Sequence, residues 1–170
     1  MSMLVIGITG PTGAGKTTVL KEIEALGGAV IDCDAVYHEM LESDRALQES
    51  LERAFGPLRD GQGAIDRKKL GALVFGDPAK LERLNAIAQR AVVQRTRQMV
   101  KENRSRGIGL TAIDAFALLE SGLADLCTTT VAVLAPAEAR VARIMAREGI
   151  SEDYAWARVR AQRPDQFFAE

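Results

Sequence analysis

The sequence predicts an α/β fold in which a parallel sheet carries helices on both faces. Short apolar runs typical of buried strands alternate along the chain with segments whose apolar residues recur at helical spacing. The first run, 3–8, is followed by a glycine-rich loop and then by a helical segment, the strand–loop–helix order of a phosphate-binding motif. At 170 residues the chain is long enough for one domain with an inserted subdomain.

The glycine-rich loop is the most specific signal in the chain. Residues 10–17, GPTGAGKT, fit the phosphate-binding pattern G-x-x-x-x-G-K-[ST] at every fixed position. The glycines let successive backbone N–H groups point inward, and the start of the helix adds positive potential for phosphate oxygens. We expect Lys16 to reach the β- and γ-phosphates of a nucleotide and the Thr17 hydroxyl to hold Mg²⁺. A turn that merely links strand and helix is the alternative, and the complete match makes it the weaker one.

The first helix is predicted to bury one apolar face and to end at Gly27-Gly28. That face carries Val19, Leu20, Ile23 and Leu26. Residues 29–32 then predict a second short strand that ends in an acidic residue.

A long helical stretch separates the second strand from the third. Turn residues interrupt it at 56–63, and Asp66 and Asp77 are each placed to open a helix, with Pro78 in the first turn of the latter. This stretch is too long for a simple crossover, so we expect an inserted helical subdomain.

The remaining residues return to alternating strands and helices. Strands are predicted over 108–114 and 129–134, followed by a helix that begins at Pro136 and ends at Gly149. Ser151 caps a last helix, which runs to about Gln162. The predicted organisation is a core over 1–34 and 106–135, an insert over 35–105, a helical lid over 136–163 and a tail over 164–170.

Composition limits the possible functions. The chain is 47% hydrophobic and 26% charged, as in soluble globular proteins, and its net charge of −1 gives no global attraction to nucleic acid or anionic membrane. No apolar run is long enough to span a membrane, and the first strand starts too early for a signal peptide. Cys33 and Cys127 lie far apart without metal-ligand spacing, and a single histidine, His38, cannot form a histidine cluster. We therefore expect a cytoplasmic protein with reduced thiols that binds neither nucleic acid nor membrane.

Two carboxylates lie at the tip of the second strand. Asp32 and Asp34 flank Cys33, and residues two apart on an extended chain point the same way. Ligands of doubly wound sheets bind at the carboxyl ends of the strands. A carboxylate there can accept a proton from an attacking hydroxyl or orient the waters of Mg²⁺. The alternative is that one acid only caps the following helix, which Asp34 could do.

Asp114 ends the third strand in the arrangement of a Walker-B acid. We expect it to coordinate Mg²⁺ indirectly or to bond to Thr17, and a plain strand-end cap is the alternative. Glu120, six residues on, is a candidate for the same cleft, although sequence alone does not orient it.

Arginines are concentrated in the helical pair near the end of the chain. Planar guanidinium groups match the negative charge of a transferring phosphoryl group, and a helical pair that closes over ATP excludes water. We predict lid contacts from Arg143 and Arg147, with Arg140 a lesser candidate. The alternative, a solvated face, is expected for the remaining arginines, which are Arg158, Arg160 and Arg163.

Taken in order, these motifs resemble the dephospho-CoA kinases of coenzyme A biosynthesis. The resemblance runs from Leu4 to Gln162. Its segments are the GITG leading into the loop, VIDCD at 30–34, IDR at 65–67, the D…LLE segment at 114–120 and the lid residues Arg143, Arg147 and Gln162. It implies a P-loop kinase fold and ATP-dependent phosphorylation of the ribose 3′-hydroxyl of dephospho-CoA.

The resemblance also implies residue roles. Asp34 would be the general base, and Asp32 would be its neighbour at the acceptor or metal site and part of the catalytic set. The insert with Arg67 would hold the acceptor, and Arg143 would act in catalysis with Lys16. Further acceptor contacts are implied for Gln89 and Glu120, and the metal would lie at Thr17 and Asp114. The ATP phosphates would be bound by Arg143, Arg147 and the loop residues Gly13, Ala14, Gly15, Lys16, Thr17 and Thr18.

Three departures from the family pattern stand out. Gln89-Arg90 replaces the usual His-Pro, and glutamine can hydrogen-bond but cannot titrate. Phe116-Ala117 stands where a proline usually precedes Leu-Leu. The family also continues through a further strand and helix that help seat adenine, so either this sequence is shortened or part of the adenine pocket is missing. We expect weakened ATP affinity and an open sheet edge, in a monomer or weak homo-oligomer.

Two other functions stay open at this point. The first is another small-molecule P-loop kinase acting on shikimate, gluconate or a nucleoside monophosphate, against which the insert and the paired aspartates argue. The second is a nucleotide-binding switch or pseudo-kinase without turnover; the chain has no N-K-x-D guanine-reading sequence, which weakens the GTPase version.

Overall fold

The computed structural model describes residues 2–115 and 118–169. The strands are β1 (Leu4–Thr9), β2 (Ala29–Asp32), β3 (Leu110–Asp114) and β4 (Thr129–Ala132). The helices are α1 (Lys16–Ala25), α2 (Cys33–Ser43), α3 (Arg45–Phe55), α4 (Arg67–Val74), α5 (Pro78–Ser105), α6 (Ala137–Glu148), α7 (Glu152–Arg160) and α8 (Asp165–Ala169), with a 3₁₀ helix at Leu123–Leu126. The departure at Phe116-Ala117 lies outside the described residues.

The first compact unit holds the sheet. It comprises Met1–Ile31 and Val100–Glu170. The strand order is β2-β3-β1-β4, and β1 pairs in parallel with both β3 and β4. Ile8 of β1 is completely buried and packs with Leu20 and Ile23 of α1 and with Ala112 of β3. The predicted α/β fold with a parallel sheet is confirmed.

Element ends differ from the sequence prediction by a few residues. β3 starts at Leu110 rather than at 108, and β4 ends at Ala132 rather than at 134. Leu26, predicted to lie on the buried face of α1, is 83% exposed. It is the residue at which the helix ends, next to Gly27 with φ of 85°, so the chain turns away before a further helical position can face the sheet.

The second compact unit, Asp32–Met99, is helical. Leu51 and Leu58 are completely buried within it, and Gln48 lies inside with its amide donating to the carbonyl oxygen of Leu41. The side chains of Asp66 and Asp77 accept hydrogen bonds from backbone amides of the turns that follow them. Both predicted helix starts are therefore confirmed, whereas the functional division at 34 and 105 stays a prediction.

The cysteines form no disulfide. Cys33 is buried in α2 near the hydroxyl of Thr96, and Cys127 is half-buried with its thiol directed at the carbonyl oxygen of Leu123. Burial raises the pKa of Cys127 to about 11, which keeps this thiol protonated at neutral pH. In the part of the chain that the structure describes, no helix is long and apolar enough to cross a membrane.

Candidate active site

The phosphate loop connects β1 to α1. Gly15 precedes the helix in a left-handed conformation, and no side-chain hydrogen bond caps the helix. The helix start therefore presents backbone amides and the positive end of its dipole, and no residue of its first turn is acidic. Gly13 also has a positive φ of 81°, and a Cβ atom there would lie 2.9 Å from the carbonyl oxygen of Arg140. Only glycine fits this point of the loop without displacing backbone.

Lys16 folds back over the loop. Its Nζ atom donates to the carbonyl oxygen of Gly10 at 2.8 Å, so the ammonium charge lies across the loop opening. Thr17 and Thr18, the next two residues of α1, are exposed at the helix start. The arrangement places one positive charge and two hydroxyl groups next to the amides of the loop.

Three arginines from the predicted lid helices line the same cavity as the loop. This cavity, of about 480 Å³, is bounded by residues 11–17 and by Arg143, Arg147 and Arg158. Arg143 donates to the carbonyl oxygen of Gly13 at 3.0 Å. Arg147 and Arg158 both donate to the carboxylate of Glu148, on its two different oxygens. These hydrogen bonds, that of Arg147 first, lower the pKa of Glu148.

Arg158 lines this cavity, whereas the sequence pattern predicted a solvated face for it. It reaches the cavity because α6 and α7 pack face to face through Val141, Ile144, Ala155 and Val159. That packing sets which side of α7 faces the loop. The available sequence signal was Glu148, at the end of α6, which can hold an arginine from each helix.

Arg140 occupies a different position from the other arginines of α6. It is 5% exposed, and its guanidinium donates to the carbonyl oxygen of Thr12 and to the side chain of Gln162. Burial lowers its pKa, and the carboxylate of Asp165 at 4.0 Å opposes that change. The prediction of Arg140 as a lesser phosphate contact is corrected, because this side chain is directed to protein acceptors.

Asp114 and Glu120 are related to the phosphate loop through different elements, Asp114 through its strand and Glu120 through a second cavity. Asp114 is half-buried at the end of β3, and its Cα is paired with that of Ile8, two residues before the loop begins. Glu120 is exposed and borders a second cavity of about 400 Å³ that also contacts Gly10 and Pro11. The placement of Glu120 in the same cleft as Asp114 stays a prediction.

The paired aspartates have distinct local roles. Asp32, not Asp34, caps α2: its Oδ1 accepts from the backbone N–H groups of Asp34 and Ala35 at 3.0 and 3.1 Å. The prediction that Asp34 could serve as the cap is corrected, because the helix begins at Cys33, two residues earlier than that role requires. Asp34 lies in the first turn with an exposed side chain.

The helical unit contains a cleft beside Arg67. The guanidinium of Arg67 lies 3.2 Å from Nε2 of His38, and the cleft of about 740 Å³ combines these groups and Lys68 with apolar walls. Burial raises the pKa of Tyr37 in this cleft, and the charge of Arg67 opposes that increase. Gln89 and Arg90 are exposed on α5 and do not line this cleft.

A cluster of three or more side chains suited to hold a metal is not found among residues 2–115 and 118–169. A hydroxyl at Thr17 and a carboxylate at Asp114 nevertheless fit Mg²⁺, which prefers oxygen ligands and keeps several of its waters.

Comparison with known proteins decides the family. The sequence profile of the dephospho-CoA kinase family matches residues 4–167. The chain belongs to this family. A dephospho-CoA kinase of Dehalococcoides mccartyi is 36% identical over 164 residues, which cover 96% of this chain and 82% of the relative. A dephospho-CoA kinase of Carboxydothermus hydrogenoformans is 37% identical over 161 residues, covering 94% and 78%.

Solved structures agree with the α/β fold of the chain. A protein of Thermus thermophilus superimposes with a TM-score of 0.73 at 36% identity, over 98% of this chain and 84% of that protein. A dephospho-CoA kinase of Campylobacter jejuni superimposes with a TM-score of 0.64 over 93% and 79%, and at 21% identity it supports the fold alone. The predicted family and P-loop kinase fold are confirmed.

Proposed function

We propose that the protein transfers the γ-phosphoryl group of ATP to the ribose 3′-hydroxyl of dephospho-CoA, giving coenzyme A and ADP. The observation that carries this proposal is the match of the dephospho-CoA kinase family over 4–167, together with an uncapped helix start behind a phosphate loop. No feature of the described residues favours a different acceptor.

The loop and the arginines would stabilise charge on the transferring group. The amides of residues 13–18 would bind phosphate oxygens, and Lys16 would leave Gly10 to contact the β- and γ-phosphates. Arg143 and Arg147 would add planar donors, which stabilise charge spread over the equatorial oxygens. Thr17 and Asp114 would hold Mg²⁺, which neutralises charge on the phosphates when bound.

Asp34 is the proposed general base. Its carboxylate is exposed at the start of α2, while the carboxylate of Asp32 is engaged in capping that helix. An accessible carboxylate can accept the proton of the attacking 3′-hydroxyl, whereas the role of Asp32 is to fix the backbone that presents it.

The helical unit is the proposed acceptor side. Arg67, Lys68 and His38 supply positive and polar groups at the rim of its cleft, and Leu41, Leu70 and Val74 are among the apolar walls. This combination suits a molecule with a diphosphate and a long, weakly polar arm. Gln89 and Glu120 remain proposed acceptor contacts. We place the reaction in the cytoplasm, carried out by a monomer or weak homo-oligomer.

The direct test is mass analysis of dephospho-CoA after incubation with ATP and Mg²⁺. We expect a product one phosphate heavier, no product without nucleotide, and no product from the 3′-deoxy analogue. Shikimate and adenosine monophosphate serve as competing acceptors in the same assay. Phosphorylation of either of these without phosphorylation of dephospho-CoA would overturn the proposal.

A further inference from the structure

Thr12, in the middle of the phosphate loop, is held by partners far away in the chain. Its backbone N–H donates to Oε1 of Gln162 at 2.9 Å, and its hydroxyl accepts from Nε2 of the same amide at 2.7 Å. Its carbonyl oxygen accepts from Nε of Arg140 at 3.0 Å. All three polar groups of this loop residue therefore bond to side chains at least 128 residues later in sequence.

Arg140 and Gln162 also bond to each other. Nη2 of Arg140 donates to Oε1 of Gln162 at 2.6 Å, which closes a triangle with Thr12. Arg140 lies in the first turn of α6 and is 5% exposed, and Gln162 follows the end of α7. A buried guanidinium must be matched by acceptors, and this triangle supplies two of them. The contacts tie the base of the helical pair to the loop at one residue.

We propose that Gln162 is a positioning residue for the nucleotide, acting through Thr12. The inference rests on the proposed function only in taking ATP as the ligand of the loop. Because Gln162 occupies the N–H of Thr12, this amide is directed to protein and not to a phosphate. The side-chain amide of Gln162, held in turn by Arg140, thereby fixes the backbone of the loop at Thr12.

The chemistry of the triangle requires both an acceptor and a donor on one side chain. Glutamine supplies the acceptor for the N–H of Thr12 and the donor for its hydroxyl. Glutamate keeps the acceptor, and the hydroxyl of Thr12 can reverse to donate to its second oxygen. Leucine has a similar volume and can do neither. Comparing the parent Gln162 with Gln162→Glu and Gln162→Leu therefore separates the effect of hydrogen bonding on the loop from the effect of packing.

The test measures ADP affinity by calorimetry and the KM values for ATP and dephospho-CoA. We expect Gln162→Leu to weaken ADP binding and to raise the KM for ATP by about tenfold, the effect of losing one to two such hydrogen bonds. Its kcat and its KM for dephospho-CoA should stay within about twofold of the parent values, because a binding contact common to ground and transition states changes KM alone. Gln162→Glu should remain within about threefold of the parent affinity.

Gln166→Leu is the matched control, since Gln166 is an exposed amide on the neighbouring helix α8, and it should leave ADP affinity unchanged. Adding Thr12→Val to Gln162→Glu should remove the near-parent ADP affinity expected for Gln162→Glu alone, because the second glutamate oxygen then has no donor. Comparing Gln162→Glu with the Thr12→Val, Gln162→Glu double variant also tests the proposal if Gln162→Leu does not fold.

Parent-like ADP affinity in Gln162→Leu would overturn the inference, as would an equal loss in Gln162→Glu. So would a fall in kcat and a rise in both KM values together, which a general structural defect produces. ADP binding needs no acceptor, so a parent protein that binds ADP without phosphorylating dephospho-CoA would refute the proposed function and leave this test intact.

Discussion

The Nζ atom of Lys16 lies 2.8 Å from the carbonyl oxygen of Gly10, so the lysine near the end of the phosphate loop bonds back to the residue that begins it. The two ends of the loop are thus connected by a charged hydrogen bond as well as by backbone. Lys16 also lines the cavity that the loop shares with Arg143, Arg147 and Arg158. A contact of this kind orders the charge before a phosphate arrives.

Replacing Lys16 by alanine should lower the rate by about a hundredfold or more, corresponding to roughly 3 kcal/mol of lost charge stabilisation in the transition state. The measurement is kcat/KM for ATP at saturating dephospho-CoA. Lys16→Arg retains the charge but presents a planar fork, so we expect an intermediate rate. Parent activity in Lys16→Ala would show that another cation supplies the charge.

Replacing Asp34 by asparagine should lower kcat by about 10²–10⁴ with little change in ATP affinity. The substitution keeps the shape of the side chain and removes the proton acceptor. Glu42→Gln, an exposed acid-to-amide change on the same helix, is the control for altered surface charge. If Asp34→Asn turned over at the parent rate, the base would be a different residue.

Local signals in the sequence were sufficient for the fold and for the loop. The caps at Asp66 and Asp77 and the turn at Gly27 depend on residues within a few positions of each other, and the structure reproduces them. Arg158 and Arg140 could not be placed in this way, because their surroundings are set by how α6 packs on α7 and on the loop. Tertiary contacts more than a hundred residues apart leave no periodic pattern in the chain.

Replacing Arg158 by alanine should raise the KM for ATP severalfold, because Arg158 lines the same cavity as residues 11–17. The matched control is Arg160→Ala on the same helix, whose guanidinium lies over the ring of Trp156 instead. Steady-state kinetics on both variants decide the assignment. Equal KM values for ATP in the two variants would show that Arg158 does not contact the nucleotide, in agreement with the solvated face predicted from the sequence.

The carboxylate of Glu148 should make the stability of the α6–α7 pair depend on pH. Hydrogen bonds from Arg147 and then Arg158 lower the pKa of Glu148 from its ordinary value. The stabilising effect of this carboxylate is therefore fully present above the ordinary pKa of glutamate and is lost as the pH falls through the lower pKa of the folded state. The melting temperature of the parent should therefore be higher than that of Glu148→Gln near neutral pH, and the two melting temperatures should converge in strong acid. Because the group is exposed, the difference should be small. A difference in melting temperature that is the same at every pH would show that packing, and not the charge of Glu148, causes it.

Replacing Gly13 by alanine tests the loop geometry with two separable costs. The first is the positive φ of 81°, which disfavours a side chain by about 1–2 kcal/mol, and the second is a Cβ atom 2.9 Å from the carbonyl oxygen of Arg140. Gly27→Ala carries the first cost alone, since its φ is 85° and nothing lies within 4 Å of an added Cβ.

Gly61→Ala carries neither cost, because its Cβ would meet open space at an unstrained φ. Denaturant unfolding should rank Gly61→Ala, Gly27→Ala and Gly13→Ala in order of increasing destabilisation, and only the last should weaken ADP binding. Backbone cannot swing aside as a flexible side chain does, so the clash must move either the loop or the first turn of α6. If Gly13→Ala matched Gly27→Ala in stability and kept parent ADP affinity, the loop would not be pressed against that turn.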